Sequence, residues 1–139
     1  MTIHRTVEAL DAGPVAAQQA FAIESEDDAG MVYARAAPVA VRLLLDVLAQ
    51  DEPDFEPQSE EGVTYAEKIR PEDRELDPAA PAQENVNRVR ALSPHIGARL
   101  GELIVWRARV GEDGSFEPLE VQPAGGRRMA YDAYLRGRR

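Results

Sequence analysis

Two groups of residues in this 139-residue chain could do chemistry. The first is Asp11, in the run Leu-Asp-Ala-Gly-Pro at 10–14. Gly13 and Pro14 make a turn there, Gly through its freedom in φ and Pro through its fixed φ. A carboxylate at such a point sits at the end of a rigid extended run, open to a substrate. The second group is cationic. Residues 1–87 hold 6 basic and 19 acidic side chains, whereas 88–139 hold 10 basic and 6 acidic, and all ten of those bases are Arg. Guanidinium is the side-chain cation best shaped for phosphate. A chain of net charge −9 can still present one positive face to nucleic acid. Arg88, Arg90, Arg107, Arg109 and the pair Arg127 and Arg128, preceded by two glycines in Ala-Gly-Gly-Arg-Arg-Met, are among these ten arginines.

Other chemistries find no support. There is no cysteine, which removes disulfides, thiolate zinc sites and thiol nucleophiles together and fits a cytoplasmic protein. His4 and His95 are far apart and belong to no metal-ligand pattern, so they read as ordinary surface or packing residues, and no metal is expected. No phosphate loop, GxGxxG run, serine elbow or paired-carboxylate spacing occurs. No membrane span is expected, because Arg42 interrupts the longest apolar candidate, 31–48. No secretion signal is expected, because no apolar run of that kind opens the sequence.

The elements that must position these residues follow from periodicity. "TIHRTV" at 2–7 alternates, with Ile3 and Val7 on one face, and reads as a strand. "VAAQQAFAI" at 15–23 is a second extended run, antiparallel to the first across the turn. "SEDDAG" at 25–30 starts a helix capped by Ser25 or Asp27 and running to about Ala49. Val32, Ala36, Val39, Leu43 and Val47 recur at helical spacing and should face a sheet. Pro38 should kink or break the helix near Ala37. The acidic, proline-containing run 50–62 reads as a linker. A second helix is expected over 79–92, with Pro81 in its first turn. "ELIVWRARV" at 102–110 and "SFEPLEVQP" at 115–123 are strands joined by the Gly-Glu-Asp-Gly turn. One or two closing helical turns follow over 130–137. Trp106 is expected in the core rather than as a base-stacking platform.

On residue chemistry alone the chain is an acidic α+β protein with a basic, β-rich end. Five blocks carry a resemblance that goes further. "TIHRTVEALDAGPVAAQ" looks like the end of a methionyl-tRNA formyltransferase catalytic domain. "GVTYAEKIRPEDRELDP" at 62–78 is similar to that family's linker into its C-terminal domain. "VNRVRALSPHIGA" at 86–98, "VWRARV" at 105–110 and "LEVQPAGGRRM" at 119–129 resemble its C-terminal helix, tryptophan strand and closing segment.

The resemblance implies transfer of a formyl group from 10-formyltetrahydrofolate to the amino group of methionyl initiator tRNA. It makes Asp11 the catalytic carboxylate of the family's LD(T/A)G turn, which works with an Asn-x-His pair. No Asn-x-His occurs here. The chain is therefore expected to be the C-terminal portion of such an enzyme, inactive alone and completed by a separate chain if the gene is split. Expected parts are the C-terminal edge of a Rossmann-like domain over 1–50 (a strand pair plus a helix), an acidic linker over 51–62, and a reduced OB-like, tRNA-binding β-barrel domain over 63–139. The four-residue turn after the tryptophan strand replaces further strands usual in the family. No residue is assigned to hold the folate co-substrate, and no cofactor is expected to be bound tightly. A second reading is a non-catalytic RNA-binding or interaction module descended from the enzyme. Formyl transfer to a sugar nucleotide is a third, disfavoured by the TYAEK and QPAGGRRM blocks.

Overall fold

The computed structural model describes residues 1–138. The chain divides into two units, one of residues 1–24 and 32–67, the other of 25–31 and 68 onward.

In the first unit, β1 (Thr2–His4) and β2 (Val15–Gln18) form an antiparallel pair with a register shift between Ile3 and His4. The two strands are shorter than the alternation implied. The Arg5 N–H donates to the Pro14 carbonyl at 2.9 Å, so the chain is already committed to the turn one residue after His4. Within the acidic segment, Glu56 adds a bridge to Val15 through paired backbone bonds of 2.8 and 2.9 Å.

The helix α1 (Ala29–Leu48) continues through Pro38. The expected break is absent. Pro38 removes one N–H donor to the Ala34 carbonyl, but both residues are exposed, so water can satisfy that oxygen. The cap also differs from expectation, because the helix begins at Ala29. Asp28 holds the capping position, its Oδ1 accepting the Met31 N–H at 2.8 Å. Val32, Ala36, Val39, Leu43 and Val47 lie on the shielded side, with Val47 buried. The opposite side is apolar as well. Val41, Leu44, Leu45 and Leu48 are all exposed, so α1 is hydrophobic nearly all round, the pattern of a helix built for burial on two faces.

The second unit carries the main core. A 3-10 turn at Glu72–Arg74 leads to α2 (Ala82–Leu92), with Pro81 as its cap residue. Four strands follow, β3 (Ala98–Leu100), β4 (Leu103–Val110), β5 (Phe116–Pro123) and β6 (Met129–Ala130), then α3 (Tyr131–Gly137). The strands form an antiparallel meander in chain order. Val89 and Leu92 of α2 pack on Ala98, Val105 and Val121 of the sheet, with Leu76.

The 3-10 turn and β3 were not expected from the sequence. The β3 edge is covered by residues 75–76, since the Leu76 N–H donates to the Arg99 carbonyl at 2.8 Å. The register shift between Val105 and Arg107 leaves Trp106 as an extra residue in β4, and the shift after Arg107 leaves Leu119 extra in β5. The first bulge buries Trp106 directly after the buried Val105, which strict alternation forbids.

Candidate functional site

The β1–β2 turn fixes Asp11 from its backbone. Asp11 adopts φ of 55°, a left-handed conformation that costs most residues strain and that Asp tolerates better than most. Two residues on, Gly13 is buried where a Cβ would lie 1.7 Å from the Arg5 carbonyl oxygen. Only glycine fits there. Gln58 returns from 47 positions away and donates its amide to both the Asp11 and Gly13 carbonyls, at 2.8 and 2.6 Å. The turn is thus held while the carboxylate, 82% exposed, points outward.

His4 stands beside it. Its Nε2 lies 3.8 Å from Asp11 Oδ1, and its Nδ1 lies 3.1 Å from the Arg5 carbonyl oxygen. The separation exceeds a hydrogen bond but leaves imidazole and carboxylate close enough to act on one proton through a small shift or a water. From the sequence His4 reads as an ordinary surface or packing residue, and the fold sets it beside Asp11. The signal that could have found it was the hairpin itself, since a turn after the first strand brings residues 4 and 11 to the same end. Gln58 left no local signal.

The six arginines divide by what they already hold. Arg88 donates to the Glu75 carbonyl. Arg90 donates to the Asp27 carbonyl at 2.7 Å and to Asn87 at 3.1 Å. Arg109 pairs with Glu117 at 2.7 Å. The hydrogen bond and charge of Glu117 push the Arg109 guanidinium further up, so it stays charged. Arg128 stacks on Trp106, 3.5 Å from the ring centroid, and donates to the Pro94 carbonyl at 2.9 Å.

Arg107 and Arg127 differ. Both are exposed, and neither side chain has a hydrogen bond or ion pair among the described residues. Arg107 and Arg109 also line a cleft of about 870 Å³ with Arg90, Trp106, Glu26 and Asp28. Trp106 is buried, as expected of a core residue, with Nε1 donating to Gln122 at 3.1 Å. Among the described residues, no group of three or more His, Asp or Glu is placed to hold a metal ion. No described helix is long and apolar enough to cross a membrane.

A solved Mycobacterium tuberculosis structure, provisionally assigned as a sugar N-formyltransferase, is similar in fold. The TM-score is 0.58 and the identity 29%, covering 84% of this chain and 50% of that one. The methionyl-tRNA formyltransferase of Halorhodospira halophila is 34% identical over all of this chain and 54% of its own length. That of Methylobacterium sp. strain 4-46 is 36% identical over the same shares. No family model matches the chain. The chain spans about half the length of the curated relatives it matches. The alignments run over 168 to 170 positions against 139 residues, so these relatives carry additional residues inside the matched region.

These are formyltransferases, and that is the class of enzyme to which the chain is related. Within it, the relatives matched are methionyl-tRNA formyltransferases, and the chain is similar to their C-terminal half.

Proposed function

We propose that this chain supplies the C-terminal half of a methionyl-tRNA formyltransferase, with Asp11 as its contribution to catalysis and the domain over 63–139 as its tRNA-binding part. The observation that carries this reading is the Asp11 turn. Its carboxylate is exposed at the end of a hairpin whose backbone is pinned by Gln58 and locked by Gly13.

In the reaction, the methionyl amine attacks the formyl carbon of 10-formyltetrahydrofolate. A tetrahedral adduct forms, the bond from carbon to folate N10 breaks, and a proton passes from the amine to N10. A carboxylate placed near that path can accept and return the proton, and it can steady an imidazolium charge. Asp11 takes this part, with His4 on its flank. Folate and methionyl-tRNA are substrates, and their remaining contacts fall to the N-terminal half of the enzyme. The apolar outer face of α1, at Val41, Leu44, Leu45 and Leu48, is the surface against which that half packs. The OB-like character of the 63–139 domain and the linker role of 51–62 belong to the same reading. Arg107 and Arg127 are the phosphate contacts, because their charge is not already engaged by the described residues.

The test is reconstitution. The purified chain is mixed with formyl donor and charged initiator tRNA, with and without the N-terminal half of the Halorhodospira halophila relative. Formylation is expected only with both halves, and Asp11→Asn should abolish it while leaving the turn intact. Full activity in the Asp11→Asn mixture refutes the catalytic assignment. A non-catalytic RNA-binding module is the second reading, favoured by how openly Asp11 is exposed. It gains if tRNA binds but the two halves together stay inactive.

A further inference from the structure

The segment after β5 carries two neighbouring arginines that face different tasks. Its turn is closed by the Gly126 N–H donating to the Pro123 carbonyl at 2.9 Å, with Gly125 at φ of 68°. The turn is then tied down by side chains. Gln122 accepts from Trp106 Nε1 at 3.1 Å and donates Nε2 to the Gly126 carbonyl at 2.9 Å. Arg128 closes the other side, lying 3.5 Å over the Trp106 ring and donating to the Pro94 carbonyl at 2.9 Å.

Trp106 is itself immobilised. It is buried, and its ring edge lies against Gly97, where a Cβ would come within 3.0 Å. The carbonyl of Trp106 accepts the Ser93 hydroxyl at 2.6 Å. The turn is therefore fastened on both flanks to one fixed indole, and Arg127 sits between the two fastenings.

We propose that Arg128 is a positioning residue that holds the turn through Trp106 and Pro94, so that Arg127 alone of the pair meets the RNA phosphate. This rests on the tRNA-binding reading for the role of Arg127. A planar guanidinium can stack on an aromatic face and donate sideways at once. The Arg128 guanidinium does both, which leaves it poorly placed for a bidentate grip on phosphate.

Trp106 is the only tryptophan of the chain, so its fluorescence reports the clamp directly. Arg127→Ala, Arg128→Ala, Gln122→Ala and the Arg127/Arg128 double variant are compared with the unchanged chain, with far-UV circular dichroism as the folding control. Acrylamide quenching of Trp106 is expected to rise in Arg128→Ala and Gln122→Ala and to stay unchanged in Arg127→Ala.

Binding of initiator tRNA is then measured at 50 and 200 mM salt. Loss of one phosphate contact in Arg127→Ala should lessen the rise in Kd between those salts by about 3.5-fold. Arg128→Ala should weaken binding in the unchanged background and add nothing when Arg127 is already Ala, the mark of a residue acting through its neighbour. Gln122→Ala should weaken binding although it removes no charge. Additive losses from the two arginines overturn the proposal, and so does unchanged quenching in Arg128→Ala whether or not tRNA binds. If the unchanged chain binds no tRNA, the RNA reading falls, while raised quenching in Arg128→Ala still supports the clamp.

Discussion

Replacing Gly13 with Ala asks whether the Asp11 turn is as tightly specified as its geometry implies. The added Cβ would lie 1.7 Å from the Arg5 carbonyl oxygen and 2.8 Å from its carbon. Non-bonded carbons settle at about 3.5–4.0 Å, so no rotamer change relieves the contact. The two strand ends must part, and the bond from the Arg5 N–H to the Pro14 carbonyl, now 2.9 Å, goes with them. Overpacking of this kind costs about 1–3 kcal/mol, and the lost backbone bond about 0.5–1.5 kcal/mol more. A local destabilisation of about 1.5–4.5 kcal/mol is the expected sum of these two effects. Amide hydrogen exchange reads it where it occurs. The Arg5 amide should lose protection, while those of Val105 and Val121 in the other unit's core should not change. Gly114→Ala is the control, since it has φ of 82° but nothing within 4 Å of its Cβ, and it should cost only about 1 kcal/mol of left-handed strain. If Gly13→Ala leaves Arg5 protected, or if it costs no more than Gly114→Ala, the steric account of the turn is wrong.

Three further outcomes are expected. Val89 is 1% exposed at the centre of the core, and Val89→Ala should lower stability by about 2 kcal/mol in urea denaturation followed by circular dichroism. Asn85 is buried and bonds both the N–H and the carbonyl of Asp77, at 3.2 and 2.7 Å. Asn85→Leu leaves the Asp77 N–H without its partner, while the Asp77 carbonyl keeps the Ala80 N–H at 3.0 Å, and should cost about 1–3 kcal/mol in the same assay. The Asp113 carboxyl is held below its ordinary range by hydrogen bonds from Ser115. Its contribution to the β4–β5 turn is therefore complete above a pH of about 4 and fades as pH falls through the lower folded value. Asp113→Asn should flatten that acid limb in a pH series of thermal melts.

What the sequence could disclose depended on how local the cause was. The 10–14 turn, α2 and the β4–β5 hairpin were legible because proline, glycine and alternation act over a few residues. β3 escaped because three residues after Gly97 are too short for a period to declare itself. Pro38 reads from the sequence as a kink or a break, and the helix does not break there, because propensity says nothing of whether the orphaned carbonyl can meet water. At the candidate site, Asp11 was visible through its turn. Its neighbours were not, since His4 arrives by strand pairing and Gln58 by a return of 47 residues. The arginines show the same limit. Composition counts their charges, but their partners include the carbonyls of Glu75, Asp27 and Pro94, which no count of side chains contains. Which cations were still available emerged only from the fold.

The outer stripe of α1, with Leu45 and Leu48 each more than half exposed, has a consequence for the life of the polypeptide. An uncovered leucine ridge is what chaperones grip and what draws like chains into aggregates. If the N-terminal half packs there as proposed, the lifetime of the polypeptide should depend on whether that half is present. Surplus copies should be cleared as quickly as they are made.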